Sequence, residues 1–308
     1  MRKTLCTLAI CFALPASAGT YGPYDKIFLF GDSLSDSGNL QDLTGPGFPQ
    51  FLYPEGDFTN GESWASQIGL TESRKGGTNY AYGSARTNDN MDGIPDLVEQ
   101  IGAFAADFPV APANSLGVIW SGGNDFRDLS PTATVPEVKA FIGSIALTIS
   151  QGVQTLAGKG IFDFVIMGMP DFGTLPQYAG DPGGAAGAAF VSNGLNGALL
   201  ATSEMLDKSP ALTVQYFDTN SLFQDILDAT PDAEKRTRCI DKPFDCAANP
   251  QNYIFYDDLH PVERIHTALA AEFTNQHLQD VPLPAGGLML LTGLAGFGVW
   301  ARRRKSQA

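Results

Sequence analysis

Short apolar runs recur along the chain, and each breaks off in small or polar residues. The first is Ile27-Phe28-Leu29-Phe30, which ends in Gly31-Asp32-Ser33-Leu34-Ser35-Asp36-Ser37-Gly38-Asn39. An apolar run of that length, closed by glycine and polar residues, predicts a buried strand that delivers Ser33 into a turn, with a helix starting just after. Residues 116–120, 161–167 and 212–217 repeat the pattern, and 78–82 predict a further short strand. Apolar positions at helical spacing predict helices over 94–108 (Leu97, Ile101, Phe104) and 135–156 (Val138, Ile142, Ile145, Ile149). Further helical segments are expected over 62–69, 188–206, 221–227 and 262–278.

Strands that alternate with helices and are apolar almost throughout define an α/β fold, a parallel sheet covered on both faces. Ligands of such sheets sit at the carboxyl ends of the strands. The polar residues that stand out all fall there: Ser33, Asn79 to Ser84, Gly122 to Asp125, and Pro170-Asp171. This coincidence marks a site before any chemistry is considered.

The two ends read differently from the body. Residues 1–18 have a basic start (Arg2, Lys3), an apolar stretch and Ala16-Ser17-Ala18, the pattern of a secretory signal peptide, so a mature chain beginning at Gly19 is expected. Residues 281–308 begin Val281-Pro282-Leu283-Pro284, run without a charge from Ala285 to Ala301 and finish with Arg302-Arg303-Arg304-Lys305. Seventeen residues of helix span about 25 Å, just enough to cross a bilayer with the basic cluster on the cytoplasmic side. This tail resembles the PEP-CTERM class of bacterial sorting signals in its Val-Pro-Leu-Pro-Ala variant. The resemblance implies a Gram-negative source, export to the periplasm or cell surface, membrane association through the tail before processing, and an exosortase-like processing enzyme as a partner. An ordinary C-terminal membrane anchor is the alternative. The body, residues 19–280, is expected to be one domain.

Setting the ends aside changes the charge. They hold six of the 19 basic residues and none of the 33 acidic ones, which leaves 13 against 33 and a net charge of −20. Such a surface disfavours nucleic acid and anionic lipid head groups as partners. Of four cysteines, Cys6 and Cys11 lie in the signal segment. Cys239 and Cys246 remain, and in an exported chain they are expected to form a disulfide closing residues 240–245. A zinc site is disfavoured because no histidine is near to fill the shell.

The chain has three histidines, His260, His266 and His277. The last two fall inside the final predicted helix, where a structural role is expected. His260 precedes Pro261, which suits a first helical position, and follows Asp257 by three residues. Across a tight turn such an aspartate reaches Nδ1, fixes the tautomer and leaves Nε2 free to take a proton from a serine. Asp258 is the neighbouring alternative, as a helix cap. Oxyanion donors are sought in the Ser33 N–H, in the Asn124 side chain behind Gly122-Gly123, and in Gly83 or Ser84. Gly-Gly-Asn-Asp also reads as a plain turn.

These blocks together resemble the SGNH, or GDSL, esterase/lipase family. The matching segments are Gly31 to Asn39, Asn79 to Ala85, Gly122 to Asp125, Met169 to Pro176 and Asp257 to Pro261, in the family's order. The resemblance implies a three-layer α/β/α flavodoxin-like sandwich and ester hydrolysis through an acyl-serine intermediate. It makes Ser33 the nucleophile, His260 the base and later acid, and Asp257 the orienting group. The oxyanion hole it implies is the Ser33 N–H, a Gly83 or Ser84 N–H and the Asn124 amide. The family commonly has two glycines where this chain has Gly83-Ser84. The expected substrate is a small-molecule or lipid ester, with no cofactor. Acyl transfer on the same site and a non-catalytic binding protein on an esterase fold are the rival readings.

Two stretches remain. Asn88, Asn90, Asp92 and Glu99 fit much of a calcium loop, but Asn opens it and Pro95 interrupts it, so an Asx-rich turn capping the next helix is the preferred reading and no metal is expected. Residues 45–60 carry Phe48, Phe51, Tyr53 and Phe58, which either line an acyl pocket or pack among themselves.

Overall fold

The computed structural model describes residues 21–231 and 235–279. The signal-like residues 1–18 and the tail 281–308 lie outside the described residues.

Four parallel strands form one sheet in the order β1 (Lys26–Gly31), β2 (Ser115–Trp120), β3 (Asp163–Met167) and β4 (Thr213–Phe217). The register pairs Leu29 with Val118, Val118 with Val165, and Val165 with Gln215. Every residue of β2 is buried, which explains why the strands read as continuous apolar runs rather than as alternation.

The helices are α1 (Asn39–Thr44), α2 (Trp64–Gln67), α3 (Leu97–Asp107), α4 (Val135–Ala157), α5 (Pro182–Asp207), α6 (Thr219–Asp228), α7 (Pro243–Ala248) and α8 (Glu263–Phe273). Phe28 and Phe30 meet Phe104 of α3 on one face, with ring centroids 4.8 and 5.7 Å apart. On the other face Trp120 meets Trp64 of α2, and Phe217 meets Phe273 of α8. The result is the expected three-layer α/β/α sandwich.

Several boundaries moved for local reasons. Helix α3 starts three residues later than its apolar pattern because Pro95 precedes a capping box between Asp96 and Glu99. Helix α5 starts six residues earlier, at Pro182, where Asp181 accepts the Gly184 N–H at 2.9 Å and turns a glycine-rich stretch into a first turn. Pro261 is not the first helical residue, since Val262 is the N-cap of α8. The α-helix stops at Phe273 and continues as a π-turn over Thr274–Leu278.

Residues 78–82 are not a strand of the sheet. They lie parallel to β1 on its free side, with Leu29 donating to Thr78 at 3.1 Å and Tyr80 donating to Leu29 at 2.7 Å, but only one bridge forms. The pairing reaches Tyr82, which donates to the Gly31 carbonyl at 3.2 Å, but no second bridge forms because the Gly31 N–H is taken by the Gln100 side chain and the chain reverses where Ala85 donates to Tyr82. Strand β1 therefore has this segment on one side and β2 on the other. The chain changes direction across the sheet at its carboxyl end, which is where α/β sheets open a crevice.

Candidate active site

Ser33 sits two residues beyond β1. Gly31 is required there: a Cβ would come within 2.3 Å of the Trp120 carbonyl oxygen on β2. The Gln100 side chain on α3 clamps the Gly31 backbone, accepting its N–H at 2.9 Å and donating to its carbonyl at 2.8 Å. The turn closes on Asp32, whose carbonyl accepts the Ser35 and Asp36 N–H groups at 3.0 Å and whose carboxylate accepts Leu34 N–H at 3.0 Å. Burial pushes the Asp32 carboxyl up to about 6, against the Leu34 N–H and His260, which favour its charge.

The tertiary structure brings the predicted partners to this serine. Ser33 Oγ lies 2.9 Å from His260 Nε2, and His260 Nδ1 lies 2.8 Å from Asp257 Oδ2, across 227 residues of sequence for the first contact. Ser33 and His260 are each 9% exposed, enough for a substrate to reach them. The loop carrying Asp257 and His260 is closed by Tyr256 donating its N–H to the His260 carbonyl at 2.7 Å. Asp257 Oδ1 accepts the Leu259 and His260 N–H groups, each at 2.8 Å. Burial pushes the Asp257 carboxyl up, but His260 and the hydroxyl of Tyr53 outweigh it and hold the group below the usual carboxylate range. Asp258 is neither a cap nor a partner of His260; it pairs with Arg238 at 2.8 Å on the surface.

The oxyanion candidates separate on inspection. The Gly83 N–H is taken by Asp36 Oδ2 at 2.7 Å, so it points into the protein. Ser84 adopts φ +70°, and its N–H, like that of Ser33, has no protein acceptor among the described residues. Asn124 donates one amide hydrogen to the Ala85 carbonyl at 3.0 Å, which fixes the side chain beside the Ser84 turn and leaves its second hydrogen available.

Several polar residues of the motifs turn out to be stitching. Asp36 accepts four backbone N–H groups, from Gly38, Asn39, Leu40 and Gly83. Asn39 donates to the Asn79 and Ala81 carbonyls, and Asn79 donates to Ser35 and Ser37. These bonds join the Ser33 turn to the Ser84 turn. The Tyr53 contact with Asp257 was missed by sequence reasoning, because no local spacing links a loop tyrosine to a residue 204 positions away.

Ser33, Asn124 and His260 lie at a cleft of about 670 Å³. Its walls are largely apolar, from Leu34, Phe126, Val138, Phe172, Leu175 and Val191, with the small residues Gly183, Gly184, Gly187 and Ala188 of α5 lining part of it. The aromatic loop does not contribute. Phe48, Tyr53 and Phe58 are buried in a separate cluster, and Phe51 is 86% exposed, so packing is the correct reading of that stretch.

Cys239 and Cys246 form the expected disulfide, with Cα atoms 5.3 Å apart. His266 and His277 are buried away from the cleft; His266 Nδ1 accepts the Trp64 N–H at 3.2 Å. The calcium-loop groups have other partners. Asn88 accepts from Thr148 at 3.2 Å, Asn90 pairs with Asp92, and Glu99 closes the α3 capping box. The carboxylates that do approach one another are Asp89, Asp96 and Glu99, and Asp96 already accepts the Arg86 and Asn90 N–H groups.

A serine hydroxyl on an imidazole, the imidazole on a carboxylate, and free N–H groups alongside constitute the arrangement of a serine hydrolase. Residues 27–273 match the family described as GDSL-like Lipase/Acylhydrolase, and the chain belongs to that family. It is 25% identical over 272 residues to the thermolabile hemolysin of Vibrio parahaemolyticus, covering 80% of this chain and 62% of that protein. It is 27% identical over 237 residues to the phosphatidylcholine-sterol acyltransferase of Aeromonas hydrophila, covering 74% and 68%. The chain thus spans less than two thirds of the hemolysin's length. A solved structure of a lipolytic G-D-S-L family protein from Veillonella parvula is similar with a TM-score of 0.48 at 14% identity, covering 82% of this chain and 97% of that one.

Proposed function

We propose that the chain is an exported serine esterase or lipase that hydrolyses carboxylic esters through an acyl-serine intermediate. The observation that carries this reading is the continuous contact Ser33–His260–Asp257 at an apolar cleft. His260 Nε2 takes the Ser33 proton as Oγ attacks the ester carbonyl, and Asp257 holds Nδ1–H and stabilises the imidazolium. The Ser33 N–H, the Ser84 N–H and the Asn124 amide receive the negative charge that develops on the carbonyl oxygen. His260 returns its proton to the departing alkoxide, the C–O bond breaks, and the acyl group stays on Ser33. Water, deprotonated by His260, releases the acid by the same path. The acyl chain lies in the cleft along α5.

The substrate class is an ester with an apolar acyl group. A series of chromogenic esters of rising chain length tests this, with Ser33→Ala as control. Hydrolysis by the wild type and none by the variant is expected; a silent wild type or an active variant overturns it. Transfer of the acyl group to an alcohol is the second reading, favoured by the similarity to a protein named as an acyltransferase. An added alcohol acceptor should then yield a new ester at the expense of free acid.

In this reading residues 1–18 direct export and are removed, residues 19–280 are the catalytic unit, and residues 281–308 hold the chain at the membrane until an exosortase-like enzyme acts. The disulfide supports an oxidising compartment such as the periplasm or cell surface. N-terminal sequencing and intact mass of the protein from a fractionated Gram-negative host test both ends.

A further inference from the structure

We propose that Tyr53 is a positioning residue of the ester-cleaving site, whose hydroxyl shares one oxygen of Asp257 with His260 and thereby sets the orientation of the base and the support its carboxylate gives it. This rests on reading Ser33, His260 and Asp257 as the catalytic triad.

The acceptor count on Asp257 carries the argument. A carboxylate offers about four lone-pair positions. Oδ1 receives two backbone N–H groups, from Leu259 and His260. Oδ2 receives His260 Nδ1 at 2.8 Å and the Tyr53 hydroxyl. All four positions are filled, and among the described residues the only side-chain donor besides the base itself is Tyr53. The Tyr53 oxygen also lies 3.4 Å from His260 Nδ1, so the hydroxyl, the carboxylate oxygen and the imidazole form one compact group.

Tyr53 is held for this contact. It is 7% exposed, and its ring packs against Phe58 at 4.7 Å and Tyr256 at 5.8 Å. Phe58 in turn lies 5.2 Å from the His260 ring. The Tyr256 hydroxyl donates to the Leu52 carbonyl at 2.5 Å, tying the loop before Tyr53 to the loop of Asp257. Burial, with Asp257 beside it, raises the Tyr53 pKa well above its ordinary value, so the phenol remains a donor at every working pH. A phenylalanine would satisfy the packing equally well; the hydroxyl is needed only for Asp257.

The sign of the effect follows from the shared oxygen. The Tyr53 hydrogen bond withdraws negative charge from Asp257 and so weakens its support of the imidazolium. Removing the bond makes Asp257 a stronger partner for the imidazolium. The other titratable groups around His260 are Asp257 and Asp258 on its own loop, Tyr256 beside them, Asp32 before the serine and His266 on α8. Of these, only Asp257 loses a hydrogen bond in Tyr53→Phe.

The test measures kcat and KM of the full chain on a short chromogenic ester across the pH range, with thermal melts alongside. Tyr53→Phe is expected to lower kcat about tenfold with KM within about twofold, and to move the acid limb of kcat/KM upward by about half a pH unit or more. Replacing Tyr53 by 3-fluorotyrosine keeps the shape and strengthens the donor, so the acid limb should move downward. In an Asp257→Asn background the shift produced by Tyr53→Phe should vanish. An acid limb and kcat unchanged in both position-53 variants overturn the proposal while leaving the triad in place. An inactive wild type, or an active Ser33→Ala, overturns the triad reading and this proposal with it.

Discussion

Asp36 accepts the N–H of Gly83 at 2.7 Å, and this single bond removes Gly83 as an oxyanion donor and leaves that role in the proposed mechanism to Ser84. With Gly83 turned inward, the next residue, Ser84, carries the outward N–H in a left-handed conformation. The same carboxylate caps α1 through Gly38, Asn39 and Leu40. Asp36 thus links the turn that presents Ser33 to the turn that presents Ser84. Asp36→Ala leaves four buried donors without an acceptor and is expected to cost about 3 kcal/mol or more, lowering Tm by roughly 10 °C. Thermal melts read this directly.

Asn124 is expected to act on the transition state rather than on binding. Its amide is held by the Ala85 carbonyl, and in the proposed mechanism its second hydrogen meets the developing oxyanion. Asn124→Ala should lower kcat about a hundredfold with little change in KM. Steady-state kinetics on one ester distinguish this from a substrate-binding role, in which KM would rise and kcat stay.

The two residues of the Gly83-Ser84 pair should respond in opposite ways. A Cβ on Gly83 would lie 2.3 Å from the Phe58 ring, which packs on His260. Gly83→Ala is therefore expected to lower kcat about tenfold or more by displacing the base. Ser84→Gly keeps the N–H and relieves a left-handed serine, so activity should hold within about twofold and stability rise by up to about 1 kcal/mol.

Chain-length preference should be set by α5. A Cβ on Gly187 meets nothing within 4 Å, and the residue lines the cleft. Gly187→Leu extends into the acyl site while improving helix propensity. Hydrolysis of long-chain esters is expected to fall at least about tenfold, since each excluded methylene forfeits about 0.8 kcal/mol. An acetyl ester should be unaffected, and equal losses on both esters would place the acyl group elsewhere.

Stability should fall in acid through buried histidines. Burial lowers His266 from 6.5 to about 3 and His277 from 6.5 to about 4. Below pH 6.5 the unfolded chain binds protons that the native state refuses, so their contribution is whole above 6.5 and is lost toward the folded values. Asp32 and Asp36 act with the opposite sign. Burial raises them from 3.8 to about 6 and about 7, giving stability that is full below 3.8 and lost as pH rises through those values. His266→Gln removes one contribution alone. Urea unfolding between pH 6.5 and 4 should show a slope shallower than the wild type by up to about 1.4 kcal/mol per pH unit.

Much of this protein was legible in the chain because it is local. Apolar runs marked β1, β2 and β3, since a strand buried on both faces carries no alternation, whereas the edge strand β4 alternates buried Val214 and Phe217 with exposed Thr213 and Gln215. The break from Phe30 into Gly31-Asp32-Ser33 marked the serine's turn, and three-residue spacing tied Asp257 to His260. Residues 78–82 misled because their alternation suits a strand, while the Gly31 N–H that would complete the ladder is taken by Gln100, a residue of a distant helix. The tertiary structure alone decided three things. It opened the cleft beside Ser33 along α5 rather than at the aromatic loop, because Phe48, Tyr53 and Phe58 pack on one another. It took the Gly83 N–H out of the oxyanion-donor set, because Asp36 claims it. It put the Tyr53 hydroxyl on Asp257, a contact between residues 204 positions apart that exists only once the sheet has brought both loops to the end of β1. Periodicity and turn chemistry act over a few residues, whereas these contacts depend on which surfaces remain unfilled after the layers have packed.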